Sequence, residues 1–359
     1  MTVKQPPLYQ VIVNDIERLI KSNNFEYENP ICTEKSLCEK YQVSRITAKH
    51  AITKLENRGI LYRKRGLGSF VAKPAVQSAS GRTFALVIPF STTQGGIFRA
   101  VETANQIFSR LGHQLTIHIS RHKASDNTEL LECLYNNMVD GIAYYPWGSD
   151  LPQEILYAFT KKEKPVIILD KTNTHPEFHS VVCDNYRGGY LLTEHLLSYG
   201  HTNICYLSRF RPEELSSIGE RYRGYCDCLL TLGNNLSPRF VHWDAAGKGQ
   251  VEYYTLQHLV NTLRMEDVTA ILCENDEVAF NVYMCCQSLG FRIPDDMNIT
   301  GFDNIEWATT GSAQITTIDQ NFELIGEAIT AALLDESHAP RNHTVPVKLI
   351  PRTSTGKAV

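Results

Sequence analysis

The chain has 359 residues, 43% of them hydrophobic, and a formal net charge of −4, which is material for two to three domains with cores of their own. No apolar run approaches the ~18 residues of a membrane helix. Asp15, Glu17 and Arg18 interrupt the first apolar stretch, so a membrane span and a secretory leader are both set aside and a cytoplasmic location is expected.

The charge is uneven. Residues 1–73 hold 13 Lys/Arg against 7 Asp/Glu, leaving 22 against 32 for the remainder. That is the balance of a small polyanion-binding head on an acidic body.

The head begins with "PPLYQVIVNDIERLIKSNNF", an amphipathic helix with Val11, Ile12, Ile16, Leu19 and Ile20 on its stripe. A second helix follows, with Thr33 as N-cap and Leu37 and Tyr41 inward. "YQVSRITAKHAI" starts a third, whose apolar stripe is Ala48, Ala51, Ile52 and Leu55. Its other face carries Ser44, Arg45, Thr47, Lys49 and His50, and Arg45 and Lys49 are read as unpaired with acids. Gly59 signals its end, and "ILYRKRGLGSFVAK" reads as a hairpin of Ile60–Arg63 and Ser69–Ala72.

Three helices followed by a hairpin is the order of a winged helix-turn-helix, whose third helix enters a major groove. Arg45 and Lys49 suit guanine acceptors, and Ser44 and Thr47 suit phosphates or thymine methyls. Arg63, Lys64 and Arg65 supply positive charge in the wing, and Gly66 and Gly68 allow close backbone approach to DNA. Thr33 and Lys35, at the start of the second helix, complete the expected DNA-binding set.

The stretch over about residues 8–72 resembles the DNA-binding domain of the GntR family of bacterial repressors. The Ser-Arg-x-Thr helix start and the Gly-x-Gly-Ser-Phe-Val wing carry that resemblance together. Cys32-Thr33-Glu34 replaces the family's usual Pro-Ser-Glu, and Lys49 stands where Arg is commoner, a point charge without the planar fork of a bidentate guanine contact. The head is taken as residues 1–73. "KPAVQSASGRT" supplies a flexible linker over 74–82.

From residue 83 the pattern changes to alternating strands and helices. Strands are predicted at 83–90, 114–120, 141–146, 165–170 and 180–184, then at 203–208, 239–243, 270–274 and 298–303. Helices are predicted near 97–111, 127–139, 152–163, 186–199, 219–232, 250–264 and 276–289. Near-continuous apolar strands between helices describe an α/β body of two doubly wound lobes over 83–359.

Ligands of such sheets bind at the carboxyl ends of strands. Those ends hold Phe90-Ser91, Trp147, Asp170-Lys171, Trp243, Glu274-Asn275-Asp276 and Asp303-Asn304. Carboxylates, amides and aromatics of this kind suit a polyhydroxylated ring. Asp184 and Asp276 can equally be helix N-caps, and Trp243 and Phe98 ordinary core aromatics.

The body resembles the effector domain of the LacI/GalR family, through "VVCDNYRGGYLLTEHLLSYGHTNICYLS", "GERYRGYCDCLLTLG", "AILCENDEVAF", "NITGFDN" and "ITTIDQNFELIGEAI". That resemblance implies effector contacts from Phe98, Asp170, Arg221, Trp243, Asn275, Asp303 and Gln320, with Lys171, Asp276 and Trp147 as weaker members. A GntR-type head on such a body resembles the arabinose-repressor type of regulator. The resemblance implies a homodimer on palindromic double-stranded DNA, released by a monosaccharide bound between the lobes. An activator, or a repressor sensing a purine, is the alternative.

No metal site, catalytic residue or cofactor is expected. The ten cysteines lack CxxC pairs and zinc spacing, "RGGY" lacks the spacing of a dinucleotide loop, and no nucleophile elbow, P-loop or His-Glu-x-x-His occurs.

Overall fold

The computed structural model describes residues 7–21, 30–57, 60–64, 67–71, 81–89, 96–120, 127–148, 150–172, 175–243, 250–306, 312–337 and 341–358. The chain divides into two compact units, Met1–Ser80 and Gly81–Val359. Residues 74–80 of the expected linker lie outside the described residues, as do Gly59, Arg65, Gly66, Phe90 and Ser91.

The first unit contains α1 (Leu8–Lys21), α2 (Glu34–Tyr41), α3 (Arg45–Asn57), β1 (Leu61–Lys64) and β2 (Gly68–Val71). The predicted α3 stripe is its core: Ala48, Ala51, Ile52 and Leu55 are buried with Ile12, Val13, Ile16 and Leu37. Leu19, expected on the α1 stripe, is exposed. Thr33 caps α2 in a reciprocal box, accepting from Ser36 N at 3.0 Å while Ser36 Oγ accepts from Thr33 N at 2.9 Å.

The second unit has two lobes. In lobe 1 the parallel sheet runs β13-β7-β6-β5-β3-β4. Its strands are β3 (Thr83–Ile88), β4 (Gln114–Ile119), β5 (Gly141–Tyr144), β6 (Val166–Leu169), β7 (His179–Cys183) and β13 (Asn342–Val345). They are joined by α4 (Ile97–Arg110), α5 (Thr128–Asn136) and α6 (Gln153–Thr160).

Lobe 2 has the parallel order β11-β10-β8-β9, from β8 (Ile204–Leu207), β9 (Val241–His242), β10 (Ala270–Cys273) and β11 (Asn298–Thr300). Its helices are α7 (Asn185–Ser198), α8 (Ser216–Thr231), α9 (Gln250–Met265) and α10 (Asp276–Ser288). The strand expected at 239–243 shrinks to β9, because Pro238 opens a 3-10 turn through Phe240. The α8 helix begins at Ser216, ahead of the predicted start.

The chain crosses between lobes three times. It leaves β7 for α7 at Asp184. It returns from β12 (Thr317–Asp319) to α11 (Phe322–Leu334), which packs on α4, and crosses again from β13 to β14 (Lys348–Ile350), antiparallel to β12. The crossings lie side by side: Asp184 N donates to Val345 O at 2.9 Å, and Asn321 Nδ2 donates to Pro346 O at 3.3 Å. One apolar cluster continues past them, joining Val181 and Cys183 to Phe302, Ile318 and Val345.

Two glycines set the α7–α8 packing distance. A Cβ on Gly189 would stand 2.1 Å from Arg221 O, and one on Gly224 would stand 2.1 Å from Tyr186 O. Neither neighbour is a yielding side chain, so the helices would have to separate. Gly224→Ala should therefore lose about 2–3 kcal/mol of unfolding free energy. Gly148→Ala, with nothing within 4 Å of the added carbon, should stay within about 0.5 kcal/mol. Urea unfolding of both variants checks this; equal losses would contradict it.

Candidate DNA-reading surface and effector cleft

On the head, Ser44, Arg45, Lys49 and Lys35 are all exposed. Arg45, expected from its spacing to be unpaired with acids, is paired. Its Nε donates to Glu34 Oε2 at 2.7 Å, and Arg63 of the hairpin reaches Glu34 Oε1 at 3.4 Å and Glu56 at 3.1 Å. The hydrogen bond from Arg45 holds the Glu34 carboxyl below its ordinary range. One acid thus aligns an arginine of α3 with one of the wing, a pairing across elements that spacing within a helix does not reveal.

Ser44 Oγ accepts from Thr47 N at 3.3 Å and lies 3.0 Å from Thr47 Oγ1, so these hydroxyls also hold the start of α3. Ile46, absent from the predicted set, is 81% exposed beside them. Its departure from the α3 stripe was the available signal. Gly68 has an internal reason: at φ +117°, a Cβ would meet Pro30 Cβ and Thr33 Cγ2 at 3.0 Å. Lys64 lies over Tyr62 and Phe70, at 5.7 and 4.9 Å from the ring centroids.

In the body, strand ends from both lobes converge. From lobe 1, Asp170 ends β6 with φ +65° and pairs with Lys171, whose Nζ also reaches Ser217 Oγ of lobe 2 at 3.3 Å. Tyr145 hydrogen-bonds to Asp170, and burial together with that carboxylate pushes its hydroxyl well up.

From lobe 2, Arg221 is buried. Its Nε donates to Asn185 Oδ1 at 2.8 Å and its Nη1 to Glu274 O at 2.6 Å; Nη2 lies 3.7 Å from Asp303 Oδ1. The guanidinium sits 3.6 Å from the Phe302 ring centroid. Gln320 Nε2 donates to Asp303 Oδ1 at 2.5 Å. Burial pushes Asp303 up to about 6, against the opposing pull of Arg221.

The remaining predicted residues sort differently. Phe98 and Trp243 are half-buried, each packed against the main core; Trp243 meets Tyr222 edge-on at 4.9 Å. Trp147 is exposed. Asp276 is neither N-cap nor open to a ligand. The cap is Asn275, whose Oδ1 accepts from Val278 N at 2.9 Å, while Asp276 is wholly buried and accepts from Thr317 Oγ1 at 2.5 Å and Ile305 N at 2.9 Å. It ties α10 to β12 beneath the cluster. Asp184 is the α7 N-cap. Sequence reasoning passed over Glu274 as a structural anchor: it is buried, accepts from Ser208 Oγ and from Arg209 N and Nε, and so fixes the β8 and β10 ends.

This arrangement offers fixed donors and acceptors with half-exposed aromatics, and among the described residues no group of three metal-ligating side chains. Residues 8–71 match the model of bacterial regulatory proteins of the gntR family, and residues 193–355 match the periplasmic binding protein-like domain. An HTH-type transcriptional repressor PurR of Aliivibrio salmonicida is 30% identical over 63% of this chain and 68% of its own. The chain belongs to the transcriptional repressors of this two-part type.

An arabinose metabolism transcriptional repressor of Halalkalibacterium halodurans is 26% identical over 85% of the repressor described here and 84% of its own length. Two solved structures share the fold. The regulator CelR in complex with cellobiose covers 88% of this chain and 92% of its own, with TM-score 0.66 and 21% identity. A LacI family regulator from Enterococcus faecium with bound ribose covers 77% and 99%, with TM-score 0.64 and 23% identity. The repressor is a DNA-binding regulator and not an enzyme.

Asp303 sets a pH signature. Its folded-state value, about 6, lies above its ordinary 3.8, so the folded protein holds a proton that the unfolded chain releases between those values. The penalty is present above pH 6 and is relieved as pH falls through 6 towards 4. On acidification from pH 7 to 4.5, the wild type should gain on the order of 1–3 kcal/mol relative to Asp303→Asn. Urea midpoints of both proteins across that window test this; a constant difference would contradict it.

Proposed function

We propose that the protein is a homodimeric repressor that holds a palindromic operator through its heads and releases it when a neutral monosaccharide binds between the lobes. The observation that supports the effector most is the convergence of Asp170 and Lys171 from lobe 1 with Arg221, Asp303 and Gln320 from lobe 2. Carboxylates and a guanidinium take vicinal hydroxyls as donor–acceptor pairs, and Phe98 and Trp243 offer apolar faces to ring C–H groups. The cations there are already matched by acids, which favours an uncharged ligand.

Asn275 and Trp147 take supporting places, and Asp276 acts from beneath. A pentose is favoured because the relatives that align with both head and body are named for arabinose metabolism. The purine reading rests on the PurR relatives, which align over 62–73% of the chain.

At the DNA, Arg45 and Lys49 address base edges, Ser44, Thr47, Thr33 and Lys35 the phosphates, and Arg63, Lys64, Arg65, Gly66 and Gly68 form the wing. Ile46 suits a thymine methyl. The sugar acts only through its unequal affinity for the lobe arrangements with high and low operator affinity.

Charge reversal at both Arg45 and Lys49 should abolish operator retention in a gel-shift assay while thermal melting of the body stays unchanged. Retained binding would overturn the reading of α3. In thermal-shift screening of pentoses, hexoses, disaccharides and purine bases, a true effector at a hundredfold its Kd should add about 2.7 kcal/mol. A shift with purines alone would replace the sugar.

A further inference from the structure

Lobe 1 carries a second basic surface, at the amino ends of its strands and so at the opposite end of the sheet from the cleft. There α6 runs out into Lys161, Lys162, Glu163 and Lys164, beside Met138 at the end of α5. These residues and Tyr135 line a shallow hollow of about 650 Å3. Lys162 and Lys164 stand over the Tyr135 ring, at 4.3 and 5.7 Å from its centroid. Among the described residues, no ion pair holds Lys161, Lys162 or Lys164.

Two more cations share this end of the sheet: Arg82 before β3 and Arg110 at the end of α4. The acids at this end of the sheet are Glu163, Asp140, Glu177 before β7, and Asp335 and Glu336 after α11, with Arg341 as a further cation before β13; Asp140 already accepts from Thr83 N at 2.7 Å, and Asp335 pairs with Arg341 at 3.8 Å. On a body with ten more acids than bases, the α6 end itself, with Lys161, Lys162 and Lys164 against Glu163, is a local reversal of sign.

The path of the chain favours one occupant. Arg82 and Thr83, which join the head to the body, enter β3 at this same end: Arg82 N donates to His113 Nδ1 at 3.1 Å, and Asp140 N donates to Thr83 O at 2.6 Å. From Val71 to Gly81 the chain makes ten Cα steps, at most roughly 36 Å, while one turn of B-DNA is about 34 Å. A duplex held by the head therefore lies within tether range of this surface, at high effective concentration.

We propose that the Lys161–Lys164 surface of lobe 1 is an auxiliary, sequence-independent contact for the phosphate backbone of DNA flanking the operator. The inference rests on the reading of the head as the operator-binding part. Lysines after a helix also complement its dipole, but that role changes stability and is blind to DNA length.

The test uses the full chain and a duplex selected from a random-sequence library. The selected duplex is trimmed to the shortest that still binds, then extended by 12 base pairs on each side with arbitrary sequence. The wild type should bind the extended duplex roughly tenfold tighter at 0.1 M salt, with a salt slope steeper by up to about 5, from three lysines on each of two protomers. The triple change Lys161→Gln, Lys162→Gln and Lys164→Gln should lose both gains and leave the short duplex unaffected. The triple change to Arg should restore them, and it keeps the test decisive if the Gln variant melts early. A wild type indifferent to flank length, or a Gln variant that keeps the gain, overturns the proposal; in the first case the surface serves another acidic partner or only its helix. Failure to select any duplex would instead overturn the reading of the head.

Discussion

The body is organised around one buried guanidinium. Arg221 reaches its place because Gly189 and Gly224 let α7 and α8 touch through their backbones, and Gly189 abuts the backbone carbonyl of Arg221 itself. A charge in that position is tolerable only where it is balanced and its donors are satisfied. Asn185, the Glu274 carbonyl, Asp303 and the Phe302 face together meet that demand. Burial alone would disfavour the charged form, yet the nearby carboxylates of Asp303 and Asp170 outweigh it and push Arg221 up. Asp170 belongs to lobe 1 and Asp303 to lobe 2, so the counter-charge around the arginine is made by both lobes. Under the proposed release, separating the lobes moves one of those counter-charges away from the guanidinium.

Closure, as proposed, needs a pivot as well as a sensor. The strip where the three crossings lie adjacent, at Asp184, at Gln320–Asn321 and at Pro346, is the natural place for it. Asn321 has φ +62° and Asp303 φ +113°, conformations uncommon outside glycine that persist only where neighbours hold them. Gln320 joins the two devices: it precedes the second crossing and donates to Asp303. Across the cleft mouth, Thr172 N donates to Ser216 Oγ at 2.8 Å, and Lys171 reaches Ser217. A ligand that satisfies Asp303 and Asp170 together favours the arrangement in which they face each other, and its effect on DNA is limited to that difference in affinity.

Most of this was legible in sequence where one residue's chemistry determined its place. The α3 stripe, the apolar strands and the carboxylates at strand ends follow from periodicity and from parallel-sheet geometry. Thr33 was legible as a cap because its hydroxyl has few other uses ahead of a helix. What stayed hidden depends on tertiary neighbours. The choice between Asn275 and Asp276 as cap turns on a one-residue boundary, and Thr317, which claims Asp276, lies 41 positions away. The return elements β12, α11, β13 and β14 were not separately predicted, because each is short or joined to an irregular crossing. The glycines were read as turn or close-packing residues, and only coordinates show that Gly189 and Gly224 meet backbone.

The head shows why an acid belongs inside a basic reading surface. Glu34 lowers the net positive potential and so weakens general attraction to phosphate. It also restrains Arg45, an 84% exposed side chain that would otherwise sample many rotamers, and shares itself with Arg63 from the wing. An arginine held by a carboxylate leaves it only for another strong acceptor, and a phosphate and the paired acceptors of a guanine edge both offer bidentate geometry. Specificity is a difference between affinities. Under the proposed reading of α3, Glu34 trims the phosphate attraction common to all sequences and leaves contacts at base edges a larger share of the total.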